Sequence, residues 1–339
     1  MTHEPSIRHI AAFFEKRGRT MPERNKVQAL HPRGVEVITN HWGTAPGLEG
    51  QLQRAHYFVF PGVPREMFAM FERYVEPWVR ENSTGNAGRV ILARKINTFG
   101  WGESDVAVAL GDLMARDRNP LVGTTVSGGV VACRLRSEFA TLEEATAQLE
   151  DTAAQVERAL GPIVYGRDDD TLSAALLQLL IAKDKTVATA ESCTGGLVGA
   201  MLTDTPGSSA AYRGGWVTYT NELKVSELGV AVDLLCTHGA VSAECAAAMA
   251  LGARRRAGSD YALSLTGVAG PDGGSTDKPV GTVWVALADE HGATPVLLQL
   301  AGDRTAIRDR AAKCALQLLR LHLLGEPFDT LRWGRVAGR

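Results

Sequence analysis

The sequence predicts an α/β protein. A layered α/β domain is expected over residues 168–325, preceded by a small α+β module over 87–167 and a shorter α/β segment over 1–86. Three observations carry this prediction. From residue 171 onward, short apolar runs alternate with segments of helical period, the pattern of strands layered against helices. Between 87 and 167 the order is strand, helix, two strands around a Gly-Gly turn, and a long helix. Glycines are many, 36 in all, and several cluster in short polar turns. No period of roughly 20–50 residues signals a solenoid.

In the first segment, Ile7, Ile10, Phe13 and Phe14 mark one face of a helix. GVEVITN is a short strand, WGTAPG a turn, and YFVF (57–60) a buried strand. It stops at PGVPREM, where Pro64 suits the first turn of the helix MFAMFERYVEPWV. In the module, RVILARKINTFG is a strand and SDVAVALGDLMAR a helix with Ser104 as its N-cap. NPLVGTTVSGGVVACRLRS holds two strands, and Thr141 caps the helix TLEEATAQLEDTAAQVERALG, which carries acids in its first turn. RDDDT (167–171) is short and polar and is expected to be a linker.

The third segment opens with the helix TLSAALLQLLIAKD and the strand KTVATA, which ESCTGG turns into the helix LVGAMLT. RGGWVTYT is a strand, followed by NELKVSELG, a short helix capped by Asn221. Ser242 caps SAECAAAMALGARRR, which ends at Gly258. YALSLTG, GTVWVALAD and TPVLLQLAG are strands, and Asp303 caps the closing helix TAIRDRAAKCALQLLRLHLL. The basic tail, 326–339, is expected to be loosely held.

Composition removes several function classes. Thirty-six Lys and Arg against 38 Asp and Glu give a charge of −2, without the basic excess of a broad nucleic-acid footprint. No apolar run reaches the eighteen or so residues of a membrane span, and the N-terminus lacks the apolar core of a signal peptide. Five scattered cysteines with no C-x-x-C pair fit a reducing cytoplasm, the expected location. The eight histidines are isolated, so neither a metal nor a cofactor is expected.

Three loops could hold chemistry. In Glu191-Ser192-Cys193-Thr194-Gly195-Gly196 a strand ends and a helix begins, where a hydroxyl is held exposed and free amides can bind an anion. The commoner local role of Ser192 or Thr194 there is a helix cap. Cys193 is the rival nucleophile. In Tyr219-Thr220-Asn221-Glu222-Leu223-Lys224 a lysine sits in a helix's first turn, where the dipole lowers its proton affinity and suits it to be a base. A solvated surface lysine is the commoner case. The glycine-rich run Thr266–Gly274 follows another strand, and Lys278 is placed to reach a phosphate. All three loops fall at the carboxyl ends of predicted strands, the edge where open α/β sheets bind ligands. Arg304 and Arg308, one turn apart, could pair with acids or reach this edge.

AESCTGGLVGAML, TPGSS, GGWVTYTNELKVSELGV, HGAVSAECAAAMA, SLTGVAGPDGG and KPVGTVWVA, in this order, closely resemble the nicotinamide-nucleotide amidase domain of the CinA (competence/damage-inducible protein A) family. The resemblance implies hydrolysis of the carboxamide of nicotinamide mononucleotide to nicotinate mononucleotide and ammonia. It places the nucleophile at Ser192 and the base at Lys224, with Tyr219 on the family's tyrosine and Thr266 on the threonine of TGxAGP. Thr194, Gly195, Gly196, Thr266, Gly267, Gly270 and Lys278 are then the expected substrate contacts. MPERNKVQAL, GTAPG and FPGVPREM resemble the latter part of the family's molybdopterin-biosynthesis-like domain, and 87–167 the small domain after it. The opening strand, G-T-E-L-L loop and G-G-L-G-P-T-x-D-D loop of that domain are not in this chain. Residues 1–86 are therefore read as a partial domain, and the dinucleotide-pyrophosphatase activity attributed to it is in doubt. The expected partner is a pyridine mononucleotide, with neither nucleic acid nor membrane, and a homo-oligomer is left open. Two alternatives stand beside the amidase: a non-catalytic ligand-binding or scaffold protein of the same fold, and a residual ADP-ribose pyrophosphatase.

Overall fold

The computed structural model describes residues 1–82 and 89–337. The chain divides into two units, Met1–Ala87 and Gly88–Arg339.

The first unit holds α1 (Glu4–Glu15), an antiparallel meander of β1 (Glu36–Ile38), β2 (Gly47–Leu52) and β3 (Ala55–Val59), then α2 (Pro64–Met70) and α3 (Glu76–Asn82), joined through one π-turn. Pro64 opens α2 as expected. The expected buried strand at YFVF is instead half-exposed, because β3 is an edge of a sheet only three strands wide, and Val59 is 51% exposed. Asn40 ties the GTAPG turn to α2. Its amide donates to Glu66 Oε2 (2.7 Å) and the Ala45 carbonyl (2.8 Å), while its oxygen accepts from the Trp42 and Gly43 amides. A Cβ at Gly43 would fall onto the Glu66 carboxylate.

The second unit is built on two sheets. The first, ordered β5-β6-β4-β7, is wholly antiparallel and comprises β4 (Val90–Phe99), β5 (Leu121–Ser127), β6 (Val130–Phe139) and β7 (Val164–Arg167). Helices α4 (Glu103–Leu110) and α5 (Leu142–Leu160) cover one face. The alternation in β6 follows from this: Val131, Cys133 and Leu135 are buried, Arg134 and Arg136 exposed. Thr141 caps α5, accepting from the Glu144 amide at 3.2 Å. Ser104 does not cap α4; Gly102 holds that position and Ser104 lies one residue inside the helix.

The second sheet, ordered β13-β12-β11-β10-β8-β9, comprises β8 (Val187–Glu191), β9 (Tyr212–Val217), β10 (Tyr261–Gly267), β11 (Thr282–Asp289), β12 (Gly292–Gln299) and β13 (Gly334–Val336). β8 lies between β9 and β10 and runs parallel to both; the other pairs are antiparallel. One face packs on α10 (Ala243–Ala257), with α8 (Asn221–Leu228) and α9 (Val232–His238) beside it. This layer is small against small: Ala246, Ala250 and Ala253 meet Ala188, Ala190, Ala262 and Ala286. The other face packs on α6 (Leu172–Ala182), α7 (Leu197–Thr203) and α11 (Arg304–Leu324) through Leu176, Leu180, Val198, Leu202, Ala315 and Leu319. Ser242 and Asp303 cap α10 and α11, and Gly258 ends α10, as the sequence predicts. Thr220, not Asn221, caps α8, because the helix begins one residue earlier than expected. Among the described residues no helix is long and apolar enough to cross a membrane.

Two expectations change. RDDDT is a built turn rather than a free linker. Asp168 exchanges bonds with the Lys95 backbone at 2.9 Å in both directions, Asn97 donates to the Asp168 carbonyl, and Thr171 caps α6. Nor is the tail loose over 326–337. Leu331 is fully buried, Trp333 meets Phe99 edge-on, Trp101 Nε1 donates to the Thr330 carbonyl, and β13 pairs with β12. The apolar residues of the tail outweigh its basic composition. Leu331→Ala should therefore cost about 2–5 kcal/mol. That is a drop of roughly 5–15 °C in the melting temperature of a unit this size, read by calorimetry on residues 88–339. An unshifted midpoint would remove the tail from the core.

Candidate active site

The parallel trio β9-β8-β10 brings three loops to one edge, as the sequence predicts. The first loop follows β8. Gly195 and Gly196 take φ of +63° and +92°, which favour glycine, and let the chain turn sharply into α7. Neither Ser192 nor Thr194 caps that helix. The buried Glu191 carboxylate does so, accepting from the Val198 and Gly199 amides at 3.0 and 2.9 Å. The amides expected to be free at the helix start are therefore partly taken. Those of Cys193, Thr194 and Gly196, one turn earlier, donate to no protein oxygen among the described residues. The Ser192 amide donates to the Leu265 carbonyl (2.9 Å), which locks the loop to β10.

The second loop follows β9. Thr220 accepts from the Leu223 amide and so fixes the start of α8. That start carries Lys224 inward rather than to the surface: the side chain is 1% exposed. Its Nζ lies 3.2 Å from Ser192 Oγ and donates to the Thr218 carbonyl at 2.9 Å, with the Thr220 carbonyl at 3.5 Å. Loss of hydration pushes the Lys224 amine below its usual range. Burial has the opposite effect on Cys193, whose thiol is pushed up to about 12, so the rival nucleophile is held as an inert thiol.

The remaining predicted residues fall in two groups. Thr194 is fully buried, its carbonyl accepts from Arg308, and its hydroxyl has no partner among the described residues. Thr266 is buried and donates to the Ala240 carbonyl at 2.7 Å, and Gly267 lies where a Cβ would strike the backbone of β11. Both shape the site's floor. At the rim, Tyr219 is 56% exposed and its hydroxyl accepts from Arg304 at 3.0 Å, not from Lys224. Lys278 donates to the His238 carbonyl at 3.2 Å. Arg304 and Arg308 reach the edge. Arg304 joins the Gly270 carbonyl (2.8 Å) to Tyr219, and Arg308 donates to the Thr194 carbonyl at 2.7 Å. Together they clamp all three loops. Glu191 was missed as a cap; its signal was an acid closing an apolar strand before a helix start that needs φ above zero.

The chain belongs to the CinA family. Residues 169–323 match the CinA C-terminal domain, and residues 93–166 the damage-inducible protein CinA KH domain. Over 329 residues the chain is 42% identical to a putative competence-damage inducible protein of Symbiobacterium thermophilum, covering 94% of this chain and 77% of that one. It is 38% identical over 322 residues to a CinA-like protein of Dictyoglomus thermophilum, covering 95% and 77%. The solved competence/damage inducible protein CihA from Agrobacterium tumefaciens is 41% identical, over 45% of this chain and 93% of that one, with a TM-score of 0.44.

Glu191 supplies two acceptors to two buried amides. Glu191→Gln leaves one acceptor oxygen, so one amide loses its partner at a cost of about 1–3 kcal/mol. Urea denaturation of residues 88–339 reads this directly. Unchanged stability would mean that the carboxylate does not cap α7.

Proposed function

We propose that the chain hydrolyses the carboxamide of nicotinamide mononucleotide, releasing ammonia and nicotinate mononucleotide, with Ser192 as nucleophile and Lys224 as base. The observation that carries this reading is the buried amine 3.2 Å from a hydroxyl at a loop turned by two glycines of positive φ. A neutral amine has two N–H groups and one lone pair. The Thr218 and Thr220 carbonyls accept the two N–H groups, which leaves the lone pair for the Ser192 hydroxyl proton. Ser192 Oγ then adds to the amide carbon as its proton passes to Lys224. The developing oxyanion is met by amides of the Cys193–Gly196 turn, each such donor being worth about 3–4 kcal/mol in a comparable protease. The charged Lys224 returns the proton to the departing nitrogen, ammonia leaves, and water hydrolyses the acyl-enzyme by the same relay. Tyr219 offers an aromatic face at the rim to the pyridine ring. Arg304 and Arg308, which reach the Gly270 and Thr194 carbonyls, and Lys278 are the candidate anchors for the phosphate.

Ammonia release by the purified full chain tests the reaction. Ser192→Ala should lower kcat by at least about a thousandfold, as in other serine hydrolases, whereas Cys193→Ala should retain most activity. The opposite pattern would reassign the nucleophile. Lys224→Arg should bind substrate without turning it over, since a guanidinium does not give up a proton near neutral pH. Chelators should leave turnover intact.

The sign of the pH dependence follows from Lys224. Its amine is lowered, and the working form is unprotonated, so kcat/KM should rise with pH through an inflection below that of a free lysine and level off above it. A rate that falls across that window would exclude Lys224 as the base.

A further inference from the structure

The face of the module's four-stranded sheet turned away from α4 and α5 packs into the layered domain at Phe99 and Val130, and its other end is exposed and carries a cationic grid. Lys95 on β4 stands directly opposite Arg134 on β6, and Arg134 opposite Gly123 on β5. One step along, Arg136 stands between Ala93 and Leu121. These residues enclose a shallow depression of about 420 Å³, with Asp168 at its margin. Arg134 and Arg136 are exposed, and Arg134 has no ion-pair partner among the described residues. Lys95 leans toward Asp169 (3.1 Å), a fully exposed side chain, and Arg136 toward Glu138 (2.8 Å).

Two features of this grid work against the sheet itself. Like charges directly opposite across strands repel. A glycine inside a strand gives up side-chain packing, and nothing lies within 4 Å of where a Cβ on Gly123 would stand. Neither feature serves packing at this end of the face, since the core behind the grid lies on the opposite side of the sheet. Both make sense around an anion. Adjacent strands are about 5 Å apart and alternate residues roughly 7 Å, so the three long side chains can converge on one phosphate group. Gly123, Ala93 and Leu121 then form a flat apolar floor beside it. The aromatic residue of β4, β5 and β6 on this face, Phe99, is fully buried against the layered domain, so it offers no exposed stacking platform of the kind a single-stranded nucleic-acid site uses.

We infer that the exposed end of this face of the 90–167 sheet binds a phosphorylated small molecule, its phosphate held by Lys95, Arg134 and Arg136 and its organic part on the Ala93–Gly123–Leu121 floor. This site is separate from the Ser192–Lys224 edge. Calorimetric titration of the full chain with adenosine diphosphate and with inorganic pyrophosphate tests it. Binding of both at millimolar concentration or below is expected, with adenosine diphosphate the tighter because it uses the floor. Arg134→Thr should weaken both at least tenfold, leave ammonia release unchanged, and melt no lower than the parent chain because it removes a like-charge pair. Absence of binding, or binding that survives Arg134→Thr, would overturn the proposal. A clearly lower melting temperature for Arg134→Thr would show that the arginine serves the fold instead. A single-stranded oligothymidylate bound through these residues more tightly than either probe would overturn the small-molecule assignment. Equal affinity for the two probes would overturn the role of the floor.

Discussion

Everything at the candidate site depends on an amine held out of water. A buried ammonium is costly unless an opposite charge compensates it. The hydrogen-bond partners of Lys224 are a hydroxyl and two backbone carbonyls, and none is a carboxylate. Its position in the first turn of α8 adds the positive end of a helix dipole. Both effects favour the neutral form, the only form that can take a proton from Ser192. The same residues that hold the side chain in place therefore also set its chemistry.

The layers around that amine pack closely. Alanines on β8 and β10 meet alanines on α10, and small side chains let helix and sheet approach closely. α8 is drawn in equally: at Gly252 of α10 a Cβ would overlap the Leu228 carbonyl, so only glycine permits that crossing. Lys224 projects from α8 toward the end of β8, its Nζ 3.2 Å from Ser192 Oγ. The parallel pairing of β9, β8 and β10 then aligns serine, lysine and glycine-rich loops without any long-range adjustment.

The sequence made the layered domain legible because its strands are short apolar runs and its helices are capped by residues with one dominant role, such as Ser242 and Asp303. The shared edge was legible for the same reason, since three loops each closed a recognisable strand. The burial of Lys224 was not, because spacing alone does not distinguish a lysine aimed at a core from one aimed at solvent. Boundaries moved where two residues competed for one role: Thr220 and Asn221 both cap helices, and the geometry of the strand end selected Thr220. The tail was misjudged because its charge is spread along the sequence while Leu331 and Trp333 act locally in space.

The last constraint is the placement of α11. At its N-terminal end Arg304 and Arg308 clamp the three loops of the site. Sixteen residues on, roughly 24 Å along a helix, Arg320 donates to the Pro162 and Val164 carbonyls, and Gln317 to the Phe99 carbonyl. These carbonyls belong to the β4 and β7 region of the small module. A helix held at one end alone could slide or tilt along its apolar stripe, because hydrophobic contacts are not directional. Directional bonds at both ends remove that freedom. The module thus supplies something that the layered domain does not contain by itself: a second fixed point for the helix whose arginines close the site.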